Sequence, residues 1–376
     1  MPYCLKNTQG YKSKKMNYTD NSINILTAKS YKGIGKAWIV KNLKGNESVA
    51  TIVSLLNNTI KSTPTNEDEF ERLKKGFKTK LLEKFGDYCD GLVALGDSEF
   101  PQHRGTVKEG ERPIILYYKG NIDLLSIENK NITVIGLLNP EGTIEERERS
   151  IVTKFVRNGA TIVSGLAFGC DTISHQQALD SNGRTIAILP SPLNNILPAR
   201  NQDLAFKIVE KGGLLISEYG NDFKSRTELS SRYKERDRLQ ALFCDTIVLA
   251  ASYAKDSADR WKIYGHKLDS GARLAMTYGK KYNIPRAVMY DQKLDKNNPM
   301  FDLNRDLIKQ QKDIIIINED NASEIIKNIM ILMLDVLNLK KHIKDELLKV
   351  LNLKLVDYSG HIVLRWKIRK RRSWGR

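Results

Sequence analysis

The sequence predicts an α/β fold with a doubly wound, mostly parallel Rossmann-like sheet. From Asn131 onward, short apolar runs alternate with amphipathic stretches, which is the pattern of strands and helices that succeed one another in a parallel sheet. The connections are short, as such crossovers require. The predicted strands are residues 132–135, 160–163, 185–189, 214–216, 246–250, 286–289 and 314–317. The predicted helices are residues 144–157, 171–181, 201–211, 235–243, 268–280 and 322–337.

Helical segments precede the predicted sheet. Residues 22–44 have an apolar pattern that is interrupted by Gly33-Ile34-Gly35. This pattern predicts two short helices around a tight turn, either a helix-hairpin-helix-like module or a simple connector. Charged, helix-prone residues follow. We therefore expect four regions: an N-terminal helical module (1–60), a connecting helical region with a lead-in segment (61–130), a Rossmann-like domain (131–330) and a basic C-terminal extension (331–376).

Composition limits the class of protein. The chain has 376 residues, 41% of them hydrophobic and 28% charged, as expected for a soluble globular protein of two or three domains. Its apolar runs are far shorter than a membrane span, and its N-terminus is polar, so we expect no membrane partner and a cytoplasmic location. The four cysteines stand apart without paired spacing, which predicts neither disulfides nor a metal site. They are Cys4, Cys89, Cys170 and Cys244.

The positive charge is concentrated at the two ends of the chain. Of the formal net charge of +17, residues 1–40 carry +6 and residues 339–376 carry +9. The C-terminal segment has a helical run, two β-like runs around Tyr358-Ser359-Gly360, and then arginines interleaved with Trp366 and Trp374. Such a segment suits nucleic-acid phosphates and bases, although a solvated tail has the same composition. A reduced winged helix and a frayed basic tail both stay open.

The segment SGLAFGCDTISHQQAL, which begins at Ser164, predicts a strand, a tight turn and a helix in succession. Its glycines, Gly165 and Gly169, allow close backbone approach, and Asp171 or Thr172 is placed to cap the helix. At the carboxyl edge of a parallel sheet, the amides of such a turn form an anion site. The first expectation is therefore a ligand that carries phosphate.

The chain lacks the sequence motifs of nucleotide cofactors and of nucleophilic catalysis. The loop after the first predicted strand is Gly136-Leu137-Leu138, which lacks GxGxxG, and the chain has no GxxxxGK[ST] loop, so we predict no nucleotide cofactor. His175 lies one helical turn after Asp171, but no nucleophile motif accompanies it. We expect His175 to be structural or to orient a ligand, and Cys170 to be an apolar filler rather than an activated thiol. No enzyme activity is predicted.

Arginines form a second polar cluster before the strand that begins at Thr246. If a helix opens near Glu235, Arg238 lies in its first turn, close to the strand ends, and arginines at a helix start oppose the helix dipole and so suggest another role. The alternative is a surface ion-pair network with Glu235 and Asp237. A third glycine site, Ser270-Gly271, opens another predicted helix at the same edge of the sheet.

These segments, taken in order, resemble the DNA-processing protein A family (DprA, also called Smf). The resemblance covers residues 22 to about 330 and rests on several ordered motifs. They are KGIGKAWIVKNL, FPQHRGTVKEGERPIILYYKGNIDLL, SGLAFGCDTISHQQAL, GRTIAILP, LPARNQDLAFKIVEKGGLLISE, ERDRLQALFCDTIVLA and DSGARLAMTYGKK.

The resemblance implies a cytoplasmic bacterial protein that binds single-stranded DNA without cutting it, forms a homodimer and helps to load the recombinase RecA during natural transformation. No cofactor is implied. The DNA would lie against a basic pocket at the carboxyl ends of the strands. The matching positions here are Ser164, Gly165, Gly169, Asp171, Arg236, Arg238, Ser270 and Gly271.

The chain also departs from the family pattern. Leu137-Leu138 stand where the family has a Gly-x-Arg turn, Pro190-Ser191-Pro192 replace a glycine turn, and Asp237 replaces an asparagine. An insertion covers about 253–267. Because of these changes, two alternative functions stay open: a sensor of nucleotide-derived ligands in bacterial defence, and a DNA-bound scaffold that acts through its basic ends. A nucleoside phosphoribohydrolase is a weaker alternative, because the PGGxGTxxE loop is missing.

Overall fold

The fold is centred on one sheet. The structure is a computed structural model that describes residues 16–60, 64–264, 268, 271–331, 333, 356–358 and 361–363. Within these residues, ten strands form a sheet in the order β1-β2-β3-β7-β6-β5-β4-β8-β9-β10. The strands are β1 (Asn17–Tyr18), β2 (Gly91–Ala94), β3 (Ile115–Gly120), β4 (Asn131–Ile135), β5 (Thr161–Ser164), β6 (Thr185–Leu189), β7 (Leu214–Ser217), β8 (Thr246–Leu249), β9 (Arg286–Met289) and β10 (Ile314–Ile317).

Helices connect most of these strands. They are α1 (Asp20–Ala28), α2 (Lys36–Asn42), α3 (Val49–Asn57), α4 (Glu67–Phe85), α5 (Gly142–Arg157), α6 (Cys170–Asp180), α7 (Gln202–Glu210), α8 (Arg226–Leu242), α9 (Ser257–Trp261), α10 (Ala272–Lys281), α11 (Asp302–Gln310) and α12 (322–331). Short 3-10 turns lie at Glu109–Glu111, Ile122–Leu125, Ala199–Asn201 and Pro299–Phe301. The predicted α/β class, with its mostly parallel sheet, is confirmed.

Strand order creates a switch point beside β4. The parallel strands β4 to β10 place Ile132 opposite Ile162 of β5 on one side and Thr246 of β8 on the other. The chain moves outward from β4 through β5, β6 and β7, and then returns to the far side of β4 for β8. Loops on the two sides of β4 therefore diverge at the carboxyl edge, which leaves a crevice where ligands bind in open α/β sheets.

Three strands at one end of the sheet were not predicted. The antiparallel β3 joins β7, and β2 and β1 continue the sheet beyond it. The run at 91–94 is short and completely buried, and β1 has two residues, so neither shows the alternation that signals a strand. The region between 61 and 130 thus contributes β2 and β3 as well as the predicted helix α4.

The N-terminal helices share a core with the sheet. One buried cluster contains Ile25 of α1 and Phe70 of α4 together with Leu92, Ile115 and Leu215 of the strands. Side-chain oxygens cap the helices at their starts, as Thr19, Ser48 and Asn66 do for α1, α3 and α4. The predicted pair of short helices around Gly33-Ile34-Gly35 is present as α1 and α2.

Helix α8 is much longer than the sequence pattern suggested. It begins at Arg226, two turns before the predicted start near Glu235, because Ser225 accepts a hydrogen bond from the Glu228 amide at 3.1 Å. Glu228 in turn accepts from the Lys224 amide, which completes the cap. The placement of Arg238 in a first turn was therefore wrong. Arg236 and Arg238 lie in the C-terminal half of the helix but before its last turn, so the helix dipole does not account for them.

The chain divides into two compact units, Met1–Lys327 and Asn328–Arg376. The sheet belongs to the first. In the second, β11 (Val356–Tyr358) and β12 (His361–Val363) pair antiparallel, at the two β-like runs of the sequence. Across the described residues, no helix is both long and apolar enough to span a bilayer.

Candidate nucleic-acid interface

A pocket of about 330 Å³ opens at the switch point. Its walls come from the loops after β4, β5 and β6, from one face of α8 and from the start of α10. Most of the lining is apolar, with a few polar groups that converge on one side, as in small-ligand sites. The lining residues are Ile135, Gly136, Leu138, Ala167, Phe168, Asp171, Pro198, Tyr233, Arg236, Asp237, Gln240, Gly271 and Ala272.

The glycine turn is filled by a carboxylate of the chain itself. One oxygen of Asp171, Oδ2, accepts hydrogen bonds from the amides of Gly165 at 3.1 Å and Ala167 at 3.2 Å. Helix α6 begins after Gly169, whose φ of 69° lies in the left-handed region. A Cβ at Gly169 would also come within 2.2 Å of the Leu137 carbonyl oxygen. The turn is thus present, but its amides are engaged by Asp171, whose carboxylate sits where a phosphate would bind, and the residue that caps α6 is Gly169 rather than the expected Asp171 or Thr172.

Arg236 lies across this turn. Its Nη1 donates to Asp171 Oδ2 at 3.3 Å, and its Nε lies 3.4 Å from Asp237 Oδ1. A Cβ on Gly165 would fall 1.0 Å from Nη1, so the glycine at this position makes room for the guanidinium. The Arg236 guanidinium also stacks 5.5 Å from the ring centre of Tyr233. Among the described residues that line the pocket, two carboxylates therefore face one arginine.

Asp237 is the second acid in the pocket. Only 5% of Asp237 is exposed, and burial raises the pKa of its carboxyl group to about 7. The positive charge of Arg236 lowers this pKa, and the negative charge of Asp171 raises it. The amide of Gln240 forms hydrogen bonds at both its nitrogen and its oxygen in one orientation. In that orientation its nitrogen donates to Asp237 Oδ1 at 3.3 Å. Its oxygen then accepts from the Gly165 amide at 2.9 Å and from Arg236 at 3.1 Å. The polar side of the pocket is a connected network.

Arg238 points away from the pocket. It is 1% exposed and pairs with Glu218 and with the carbonyl of Glu111, while Nε lies 3.4 Å from Glu235. Although burial opposes its charge, the carboxylates of Glu218 and Glu235 raise the pKa of Arg238. The guanidinium therefore joins α8 to the end of β7 and to the 3-10 turn before β3.

The side chains of three other candidates are packed inside the protein. Ser164 donates to the Val134 carbonyl at 2.7 Å, and His175 Nδ1 lies 2.7 Å from Thr185 Oγ1. Burial lowers the pKa of His175 to about 4, so its ring is neutral at physiological pH. Burial also raises the pKa of the Cys170 thiol well above its usual range. None of these side chains lines the pocket.

Of the remaining candidates, Gly271 lines the pocket next to Asp237, whereas Ser270 lies outside the described residues. So do most of the basic residues at the two chain ends. Leu138, where the family has its arginine, is 46% exposed at the rim, and Pro190-Ser191-Pro192 are buried. The described part of the insertion includes α9, which is held on α11 by the hydrogen bond from the Trp261 indole to Asp302.

Several pocket residues were missed in the sequence, among them Phe168, Pro198, Tyr233 and Gln240. Phe168 lies inside the glycine turn with 42% of its surface exposed, and Pro198 precedes α7. Tyr233 and Gln240 stand three residues before Arg236 and four after it, which places them on one helical face. The signal that would have found these two was the capping pattern of α8 at Ser225 and Glu228, because it fixes the helical register.

Comparison with known proteins decides the family. The model of DNA recombination-mediator protein A matches residues 91–258. Protein Smf of Borreliella burgdorferi is 30% identical over 229 residues, which cover 58% of this chain and 71% of that protein. The chain belongs to the DprA/Smf family. The resemblance drawn from the sequence motifs is thereby confirmed.

Other family members match shorter stretches. DNA processing protein DprA of Streptococcus pneumoniae is 32% identical over 142 residues, 37% of this chain and 47% of that protein. Protein Smf of Synechocystis is 31% identical over 183 residues, 44% of each chain. The chain thus matches about half the length of these two relatives. The X-ray structure of the Streptococcus pneumoniae DprA covers 80% of this chain with a TM-score of 0.57 and 20% identity, and shows the same fold.

Proposed function

We propose that this DprA/Smf chain binds single-stranded DNA at the carboxyl edge of its sheet and takes part in DNA processing. The observation that carries the proposal is the makeup of the pocket at the switch point: aromatic and apolar walls from Phe168, Tyr233 and Leu138 surround one guanidinium, that of Arg236. Aromatic rings and arginine are the groups on which unpaired bases stack. A base can enter such a pocket only after it leaves its duplex partner.

The backbone of the strand would be held elsewhere. The turn amides that would suit a phosphate already bond to Asp171, so the pocket is proposed to take a base while basic residues outside it neutralise phosphates. The ends of the chain, with net charges of +6 and +9, are the candidates. This arrangement predicts an affinity that is steeply salt-dependent together with a contribution from the pocket that salt changes little.

We infer that the chain acts by binding rather than by catalysis. The two groups weighed as reactive, Cys170 and His175, are both fully buried. The thiol is held protonated, and the imidazole is engaged with Thr185. A homodimer, a RecA-type recombinase as partner, a role in natural transformation and a cytoplasmic location are proposed on the family resemblance alone.

A nucleotide sensor, the alternative from the sequence, has less support. A ligand that carries phosphates needs a cation to pair with them. Arg236, the arginine of the pocket, already contacts the carboxylates of Asp171 and Asp237. Thermal shifts with mononucleotides and dinucleotide messengers would detect such a ligand by its stabilisation of the fold.

The proposed function is tested by fluorescence anisotropy with labelled oligo-dT and a hairpin duplex of equal length across a salt series. We expect the single strand to bind more tightly than the duplex, with log affinity falling linearly as log salt rises. Undetectable binding of oligo-dT at low salt would overturn the proposal. Equal affinity for both forms would leave only a nonspecific charge effect and would contradict the role of the pocket.

A further inference from the structure

Asp237 places a carboxylate in the pocket whose Oδ1 is already engaged with Gln240 and Arg236. It is 92% buried as a side chain and lines the cavity. Among the described residues, Oδ2 has no hydrogen-bond partner, and a Cβ on Gly271, the residue before α10, would lie 3.1 Å from it. A carboxylate oxygen that faces a cavity without a donor from the protein can accept a hydrogen bond from a ligand.

The neighbouring guanidinium supplies the opposite kind of group. Arg236 Nη1 is engaged with Asp171, whereas Nη2 makes no hydrogen bond within the described residues. The pocket thus presents an acceptor, Asp237, beside a donor, Arg236, with Nε and Oδ1 3.4 Å apart. Because the charge of Arg236 is already offset by the carboxylates of Asp171 and Asp237, the pair suits a neutral polar edge better than it suits a phosphate.

We propose that Asp237 and Arg236 give the pocket a preference for guanine among the bases of a single strand. The Watson–Crick edge of guanine has two adjacent donors, N1–H and the N2 amino group, next to the O6 acceptor. A carboxylate accepts both donors while a guanidinium donates to O6. Thymine has one donor between two carbonyl oxygens, so a carboxylate that approaches it also faces an acceptor. Adenine and cytosine each offer a single amino group.

This inference rests on the proposed function, since it assigns a base preference to the proposed DNA site. Base edges are what distinguish sequences, and a good bidentate contact discriminates against the wrong base by about tenfold or more. Phe168 and Tyr233 would hold the plane of the base, and Asp237 would select its edge. In this chain Asp237 stands where the family pattern has asparagine, whose amide offers only one acceptor oxygen.

The test uses the full chain and three labelled oligonucleotides of equal length: d(TG)8, d(TI)8, in which inosine lacks the N2 amino group, and dT16. Affinities are measured by anisotropy at pH 8 and constant salt. We expect d(TG)8 to bind about tenfold more tightly than dT16, with d(TI)8 between them. In Asp237→Asn, that preference should vanish, and dT16 should bind at least as tightly as to the unchanged chain.

Asp203→Asn is the matched control, because it removes one exposed carboxylate from α7 outside the pocket and should keep the preference. Equal binding of the three oligonucleotides to the unchanged chain would overturn the base preference and leave the proposed function standing. Loss of binding to all three in Asp237→Asn would also overturn it, since Asp237 would then serve only to hold Arg236. Failure of the unchanged chain to bind any of them would instead refute the proposed function itself.

Discussion

Phe168 stands at the pocket rim with 42% of its surface exposed, in a turn whose first residues, Gly165 and Leu166, are buried. If bases stack on it, Phe168→Ala should weaken oligo-dT binding by about 1–3 kcal/mol, as measured by anisotropy. Phe206→Ala is the control, because Phe206 is 44% exposed on α7 but does not line the pocket. Equal losses in the two variants would show that Phe168 has no specific contact with the strand.

Asp237 makes the stability of the fold depend on pH. Its pKa rises from the ordinary 3.8 to about 7 on burial. Between these two pH values the unfolded chain ionises while the folded chain keeps its proton, so the free energy of unfolding falls as pH rises. Asp237→Asn avoids this penalty and should be more stable than the unchanged chain above pH 7, by a few kcal/mol, with the two converging below about pH 4.

Denaturant unfolding at a series of pH values measures this difference. Glu148, completely buried on α5 with its pKa also raised by burial, adds a penalty of the same sign to both proteins, so the comparison between them isolates Asp237. Arg236 and Asp171 face Asp237 and remain in both. A difference in unfolding free energy that does not change with pH would contradict the raised pKa.

Gly165 is expected to tolerate no side chain. Gly165→Ala would place a methyl group 1.0 Å from Arg236 Nη1 and expel the guanidinium from the turn. The variant should lose oligo-dT affinity and unfold at lower denaturant. Gly76→Ala on α4, where nothing lies within 4 Å, is the control and should be neutral or more stable by about 0.5–1 kcal/mol. Unchanged affinity in Gly165→Ala would mean that Arg236 does not contact DNA.

At the residue scale, Gly165, Asp171 and Arg236 were singled out in the sequence, and the structure brings them together: Asp171 and Arg236 line the pocket, and the Gly165 amide donates to Asp171. Their contacts with one another could not be inferred, since they depend on distances across the sheet edge. That Asp171 fills the turn follows from a side-chain direction on α6, which residue spacing does not specify.

At the scale of an element, the helical register of α8 determines which of its side chains face the pocket. Tyr233, Arg236, Asp237 and Gln240 share the face toward the pocket, and Arg238 lies on another face, against Glu218. The hydrophobic pattern of the first two turns is weak, so the start of the helix had to be found from its cap at Ser225. A helix placed from Glu235 puts both arginines in the first turn and hides this difference.

Arg238→Ala separates these two faces experimentally. Removing Arg238 leaves the buried Glu218 with Lys36 as its remaining cationic partner, so the variant should lose stability, by less than the about 3–5 kcal/mol expected for a buried charge left without any partner. Its affinity for oligo-dT, measured under conditions where it remains folded, should be unchanged. Arg236→Ala is the comparison and should lose affinity instead. Reduced affinity in folded Arg238→Ala would place that arginine in the DNA site after all.

At the scale of the whole molecule, alternation of apolar runs and amphipathic helices sufficed to predict the parallel strands β4 to β10. It did not predict β1 to β3, because two of these strands are very short and β3 joins the sheet beside β7, far from it in sequence. Local patterning carries no information about which distant strand a segment will meet. The family resemblance, in contrast, came from motifs at the carboxyl edge.

The uneven charge of the chain gives a prediction at the same scale. Replacing Arg369, Lys370, Arg371 and Arg372 with glutamine removes four charges from the basic C-terminal segment. If these residues neutralise phosphates, the slope of log affinity against log salt should fall by about 3. The preference for d(TG)8 over dT16 should persist, because it belongs to the pocket. An unchanged slope would show that the segment does not contact DNA.

The guanidinium of Arg236 occupies the space that any side chain at position 165 would need. Two positions far apart in the chain therefore constrain each other. Among relatives we expect them to vary together: a chain with a side chain at 165 has no room for arginine at 236, and a chain without the arginine is released from the need for glycine. Covariation of this pair would distinguish two groups of family members. In one group, side chains of the protein occupy the turn; in the other, the turn amides are free to bind phosphate.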